Sequence, residues 1–231
     1  MFKQLNNYHP SFNNFLNEEI KNELEYIYNQ IKDQNCCPEL DSILSFLAFD
    51  LRKLKIVIIG QDPYYNLYKQ QKAATGRAFE VNNLYLNESF RQSSIKNLIR
   101  VIFKLKYNQL YNYNELKIKE RSFFNQSNKT YFDFLENQGV LFLNVSLSCE
   151  FMKPLSHQKL WWNFSMKLLK YLDELRPIFM LMGTSAKTYQ KYLKSKCYTS
   201  NHPMILNSKN ENDLSKSNFF SDTAKVIKWL S

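Results

Sequence analysis

The sequence predicts an α/β domain: a central four-stranded, mainly parallel sheet flanked by helices. Three observations lead there. Strand-length runs recur at 55–59, 140–145, 177–182 and 198–202, the first three almost wholly apolar. Segments with helical spacing lie between them, and strands alternating with helices give a parallel sheet covered by helices. A chain of 231 residues, 44% of them hydrophobic, suits one domain, 1–231, with a sizeable core.

In order, Phe12, Phe15, Leu16, Ile20, Leu24, Ile27 and Ile31 recur at helical spacing, with Ser11 as a candidate N-cap. Residues 1–36 therefore read as a helical N-terminal part. Pro38 breaks the chain, and Leu40 to Phe49 reads as a short helix leading into the first strand. There Ile56, Val57, Ile58 and Ile59 are four consecutive β-branched residues, the signature of a strand buried on both faces. Gly60 ends the run and Pro63 forbids its continuation. Gln61 and Asp62 are left at the carboxyl end, the edge at which ligands bind in open α/β sheets. The local pattern fits an Asp-Pro turn with a solvated carboxylate equally well.

Residues 65–72 read as a loop over that strand end. Ala73 to Val81 is small until Phe79, which alone would be ordinary core. Ser93 and Ser94 cap a helix over Ile95 to Leu105. The stretch 107–129, rich in Asn, Tyr and Lys, has a weak helical pattern at best and reads as an insertion or a long mobile connection. Phe132 to Glu136 is a short helix stopped near Gly139. Asn144 is then the polar residue at the end of the second strand, as Gln61 is after the first. Trp161 to Leu175 is an amphipathic helix with Ser156 as its cap and Trp162, Phe164, Leu168, Leu169 and Leu172 toward the core. Gly183 ends the third strand. Thr184 and Ser185 open a lysine-rich helix, whose start is a phosphate site or a plain N-cap. His202 ends the fourth strand before Pro203. Met204 to Ser217 is a polar loop, and Phe219 to Leu230 closes the chain as a helix.

The formal net charge of +10 favours a polyanionic partner, and the 16% aromatic content supplies stacking surfaces for nucleic acid. Cys36, Cys37, Cys149 and Cys197 have neither disulfide-framework nor zinc spacing, and the three histidines are scattered. Reduced thiols, no membrane-span-length apolar run and no signal-peptide core lead to the expectation of an intracellular protein, cytoplasmic or nuclear. Asp62, Asn144 and His202 all fall at strand carboxyl ends, which predicts one cleft at one edge of one sheet.

These residues resemble the uracil-DNA glycosylase family. Gly60-Gln61-Asp62-Pro63-Tyr64 is similar to its water-activating motif, Ala78-Phe79 to the aromatic step after it, and Gly139 to Asn144 to its uracil-reading strand. Met182 to Ala186 is similar to the backbone-pinching loop, His202-Pro203 followed by Leu206 to the intercalating loop, and Asn218-Phe219-Phe220 to the opening of the last helix. The resemblance implies that Asp62 stabilises the cationic sugar and orients a water, and that a neutral His202 donates to uracil O2. It implies that Phe79 stacks on the flipped base, Asn144 pairs with N3–H and O4, Tyr64 excludes a 5-methyl group and Gln61 holds a carbonyl through its backbone. Pro63, Ser94, Gly183, Thr184 and Pro203 would contact DNA, and Leu206 would fill the gap in the stack. No metal or organic cofactor is implied. The implied partners are uracil-containing DNA, single- or double-stranded, and a proteinaceous glycosylase inhibitor or a replication partner, on a monomeric enzyme. The competing expectation is a non-catalytic DNA-binding accessory subunit of replication on the same fold.

The chain departs from the family pattern in several places. Tyr65 stands where His is usual, and the loop to Phe79 is longer by about four residues. Phe90 to Ser93 replaces a proline-rich stretch, Met204-Ile205 replaces Ser-Pro, and Met182 stands where Trp is common. None of these removes a residue implied in bond cleavage. The first touches the surroundings of the water and phosphate, and the others the strained grip on DNA.

Overall fold

The computed structural model describes residues 1–83, 85–207 and 209–231. Its strands are β1 (Cys36–Cys37), β2 (Ile56–Gly60), β3 (Leu67–Tyr68), β4 (Gln71–Lys72), β5 (Val140–Asn144), β6 (Cys149–Glu150), β7 (Ile178–Met182) and β8 (Cys197–Ser200). Four of them form the central sheet in the order β5-β2-β7-β8, every pair parallel. The helices are α1 (Glu18–Ile31), α2 (Ser93–Tyr107), α3 (Tyr113–Lys119), α4 (Arg121–Phe124), α5 (Asn128–Asn137), α6 (Gln158–Glu174), α7 (Thr184–Lys187) and α8 (Phe219–Thr223).

The pleat of β2 divides the core in two. Ile56 and Ile58, with Val140, Phe142, Met180 and Met182, pack under α2, α3, α4, α5 and α8. Val57 and Ile59, with Leu141, Leu143, Phe179 and Leu181, pack under α1 and α6 on the other face. A parallel strand covered on both sides has no polar face to offer, which is why these runs are continuous rather than alternating. Helix α1 shows the matching pattern. Ile20, Leu24, Ile27 and Ile31 are buried at helical spacing, the Asn17 side chain accepts from Ile20 N–H, and Glu18 and Glu19 suit the positive end of the dipole.

Gly139 joins α5 to β5 at φ +103, a left-handed conformation that favours glycine. Its carbonyl accepts from Lys55 and Ile56 N–H, at 2.9 and 3.1 Å, so the start of β5 is locked to the start of β2. Register then runs from Ile56 opposite Val140 to Gly60 opposite Asn144.

Several local expectations are corrected. The 107–129 stretch is largely helical and inserts Tyr113, Leu116, Phe123 and Phe124 into the core. Its α3 is held by a capping box between Asn112 and Glu115, a signal hidden among many asparagines. Residues 40–48 form two 3-10 turns rather than one helix. Ser11 does not cap α1: its hydroxyl accepts from Leu51 N–H. Ser156 likewise accepts from Glu150 N–H instead of capping α6. Trp162 is only half-buried. The lysine-rich helix after Gly183 stops at Lys187, and the last helix stops at Thr223, because the chain turns to bury Ile227 and Trp229. The loop after Tyr65 contains the β3–β4 hairpin, turning on Lys69 and Gln70 at φ +46 and +65.

Candidate active site

The carboxyl ends of β5, β2, β7 and β8 lie along one edge of the sheet, and β5, β2 and β8 each lead to one polar group there. Gly60 pairs with Asn144, and Met182 pairs with Ser200, two residues before His202. The ladder continues past β2, since Val145 N–H donates to Gly60 O and Ser146 N–H to Gln61 O, both at 3.0 Å. Asp62 is thereby presented rigidly, just beyond the sheet. One correction is small: β8 ends at Ser200, so His202 sits two residues past the strand.

Asp62 is half-buried. Leu155 N–H donates to Oδ2 at 2.8 Å, while Oδ1 is buried without a hydrogen-bond partner among the described residues. Burial raises its pKa above the ordinary carboxylate value, opposed by the Leu155 amide and by the Gln61 and Ser146 side chains. Sequence reading missed Leu155, since a backbone donor leaves no trace in residue type. Gln61 is fixed through its own amide, whose Oε1 accepts from Ser185 Oγ at 2.8 Å.

His202 accepts from Met204 N–H at Nδ1, 3.2 Å away. That bond assigns the ring proton to Nε2, which is left as a donor. Burial lowers the imidazole's affinity for a second proton, so the ring is neutral at physiological pH. Gly183, at φ +93, lets β7 turn beneath it, and a Cβ there would come within 3.3 Å of the His202 side chain. The turn is also held from α2: Asn97 Nδ2 donates to the carbonyls of Pro203 and Met204 at 2.7 and 3.1 Å. Asn97 was legible in principle, as a polar residue on the apolar face of its helix.

Asn144 is 6% exposed. A Cβ placed on Gly60 would lie 2.6 Å from Asn144 Oδ1 and 3.2 Å from the tip of the Phe79 ring, so amide and ring converge over the bare glycine. Phe79 sits at φ +68 with its ring centroid 6.1 Å from that of His202. The Tyr64 hydroxyl donates to Phe79 O at 3.5 Å, and Ser94 and the Ile95 amide also approach the phenol.

A cleft of about 450 Å³ opens above these groups. It is lined by Gln61, Asp62, Pro63, Tyr64, Ser94, Gly183, Thr184 and His202, together with Tyr65, Arg91, Pro154 and Met204, which sequence reading did not assign. Phe79 and Asn144 do not line it; they meet over Gly60, the residue before Gln61. Pro203 is buried and contributes its carbonyl to the Asn97 anchor. Leu206 is half-buried against the core, while its neighbours Met204 and Ile205 are 57% and 69% exposed.

No protein-family model matches the chain. Curated relatives do. The chain is 30% identical over 225 residues to a uracil-DNA glycosylase of Christiangramia forsetii, covering 94% of this chain and 90% of that protein. It is 30% identical over 159 residues to one of Fusobacterium nucleatum, covering 68% of this chain and 60% of the relative's length. Among solved structures, that of Nitratifractor salsuginis UNG superposes with a TM-score of 0.67 at 21% identity, covering 87% of this chain and 86% of that one. A mimivirus UNG variant in complex with UGI superposes at 0.65 with 20% identity, covering 87% and 72%. Sheet, cleft and relatives agree on the class, a DNA glycosylase built on a parallel α/β sheet. The chain belongs to the uracil-DNA glycosylase family.

Proposed function

We propose that this chain flips uracil out of DNA and hydrolyses its N-glycosidic bond with an activated water, leaving an abasic site. The observation that carries the reading is the convergence of the Asn144 amide and the Phe79 ring over Gly60, beside Asp62 and the Nε2–H of His202. A base in a duplex is out of reach, so it must be extruded into a pocket to be read and cut.

Phe79 stacks on the extruded ring. Asn144 accepts from uracil N3–H and donates to O4. Cytosine offers the reverse pattern, and unpaired buried polar groups reject it strongly. Tyr64 excludes thymine's methyl by clash. As the bond breaks, positive charge grows on the sugar and negative charge on the uracil. Asp62 stabilises the first and orients the water; His202 donates to O2 and stabilises the second. Gln61 holds a carbonyl through its backbone. Pro63, Ser94, Gly183 and Thr184, which line the cleft, contact the flanking backbone, supported by the net charge of +10. The sequence-expected contact from Pro203 is corrected to a supporting role, since its buried ring and Asn97-bound carbonyl hold the turn. The 203–206 turn enters the stack.

The neighbouring UNG–UGI complex supports a proteinaceous inhibitor as a partner. We also infer a monomer acting inside the cell, where a reducing interior keeps thiols such as the four free cysteines unpaired. A non-catalytic accessory role is not favoured, because it has no use for an acid, an amide and a neutral imidazole on one sheet edge.

The test is excision from a uracil-containing oligonucleotide in EDTA, followed by alkaline cleavage at abasic sites. Strand breaks at the uracil position are expected. Their absence with folded wild-type protein overturns the reading.

A further inference from the structure

Phe79 is a bulky residue on a left-handed backbone, a conformation that costs about 1–3 kcal/mol and persists only where the surroundings over-determine it. The groups that meet the base do not supply that constraint. Among the described residues, the one hydrogen bond to the Phe79 carbonyl is the 3.5 Å contact from Tyr64. The constraint lies in the residues on either side of it. Arg77, with its side chain 17% exposed, places one guanidinium nitrogen 3.1 Å from Glu80 Oε1. The other lies 2.6 Å from Asp133 Oδ1 and 2.9 Å from Glu136 Oε2. Thr75 Oγ1 donates to the second oxygen of Glu80. Between them Ala78 is fully buried. A single planar fork therefore joins the chain before Phe79 to the chain after it, and ties both to α5.

Helix α5 is not an arbitrary anchor. It passes through Gly139 directly into β5, whose last residue is Asn144. The ring that stacks and the amide that reads are thus carried by segments joined through one buried guanidinium. We propose that Arg77 is a positioning residue for base recognition: its fork to Glu80, Asp133 and Glu136 fixes the Phe79 ring relative to Asn144 and so sets the slot the base must fit. Arginine suits this role because its donors are held in one plane, whereas lysine offers a single point charge. The inference rests on the excision reading above.

The experiment separates the slot from the rest of the protein. Free uracil is used as an inhibitor of excision, which probes the slot alone. Binding of DNA carrying a tetrahydrofuran abasic analogue probes the DNA grip without a base. In Arg77→Met the inhibition constant of uracil should rise about tenfold, a loss of about 1.4 kcal/mol, while abasic-DNA affinity stays within about twofold. Arg77→Lys should recover part of the loss. In a Phe79→Ala background the same Arg77 change should move the uracil constant by less than about twofold, because the two act as one unit. Removing Arg77 strands buried carboxylates, so Arg77→Met/Glu80→Gln/Glu136→Gln is made in parallel to retain a folded protein. It should show the same selective loss.

Three results overturn the proposal: an unchanged uracil constant, equal losses for uracil and abasic DNA, or an undiminished Arg77 effect without the Phe79 ring. A wild-type chain that does not excise uracil overturns the excision reading itself. An active wild type with indifferent Arg77 variants overturns only the positioning role.

Discussion

Gly60 and Asn144 stand opposite each other in parallel register, and a Cβ on Gly60 would fall 2.6 Å from Asn144 Oδ1. The same Cβ would press on the Phe79 ring at 3.2 Å. The glycine ends a strand, and what it supplies is room for two other side chains to meet. Gly60→Ala should therefore displace both base-reading groups. Catalytic efficiency should fall about 10²-fold, the usual penalty for a misplacement near 1 Å. The thermal midpoint should barely move, and excision kinetics beside a melting curve check both halves.

Asp62 has one oxygen held by Leu155 N–H and one buried without a partner among the described residues. A carboxylate held this way is preorganised for a cationic sugar. Asp62→Asn keeps the shape and removes the charge. The rate constant kcat should drop about 10²–10³-fold, with affinity for uracil-containing DNA retained or improved. Single-turnover kinetics at saturating enzyme read this directly. Undiminished kcat removes Asp62 from the chemistry.

The pH profile follows from two groups shifted toward each other. Burial raises Asp62 above the ordinary carboxylate range and lowers His202 below the ordinary imidazole range. Activity needs Asp62 ionised and His202 neutral, and both fail as protons are added. The plot of kcat/KM should be flat above the ordinary imidazole range and should fall below it, steepening toward two protons. His202→Asn should leave a single-proton limb set by Asp62.

Glu136 titrates for structural reasons. Burial, opposed by Arg77 and reinforced by Glu80 and Asp133, pushes it up to about 7. The folded chain then holds a proton that the unfolded chain releases at lower pH. Its contribution to stability is complete below the ordinary glutamate value and is lost as pH rises through about 7. Glu136→Gln should remove that dependence, flattening the stability curve between the ordinary glutamate value and pH of about 7 by an amount on the order of 1–3 kcal/mol. Melting curves across that range give the answer.

Asn97 anchors one side of the 203–206 turn, and the Asp213 carboxylate anchors the other by accepting from Asn207 N–H at 2.6 Å. Between the anchors Ile205 projects furthest into solvent, while Leu206 rests on the core. Ile205→Ala should raise KM about three- to tenfold for duplex substrate and less for single strands, since only a duplex has a gap to fill. Leu206→Ala should also lower the thermal midpoint. A duplex-specific loss from Leu206→Ala with an unchanged midpoint identifies Leu206 as the wedge instead.

Much of the candidate site was legible because strand ends are legible. Ile56 to Ile59 can only be a doubly buried strand, so Gln61 and Asp62 had to emerge at its edge, and Val140 to Leu143 placed Asn144 likewise. Phe79 was not legible in the same way, because its role depends on a positive φ that residue type disfavours. Leu155 acts through its amide and Arg77 through partners 56 and 59 residues away, as the separations to Asp133 and Glu136 show. The 107–129 stretch misled because its composition is polar, while its few apolar residues are enough to fill one corner of the core.

By itself, the sequence determined the layer architecture, the order of the core strands along the chain and the polar residues at their carboxyl ends. These follow from local period and from residues that terminate strands. The tertiary structure decided the β5-β2-β7-β8 order, the meeting of Asn144 and Phe79 over Gly60, the tautomer of His202 and the Arg77 fork behind the slot. Each of those depends on contacts between residues far apart in the chain, and such contacts exist only once the two cores have closed around the sheet.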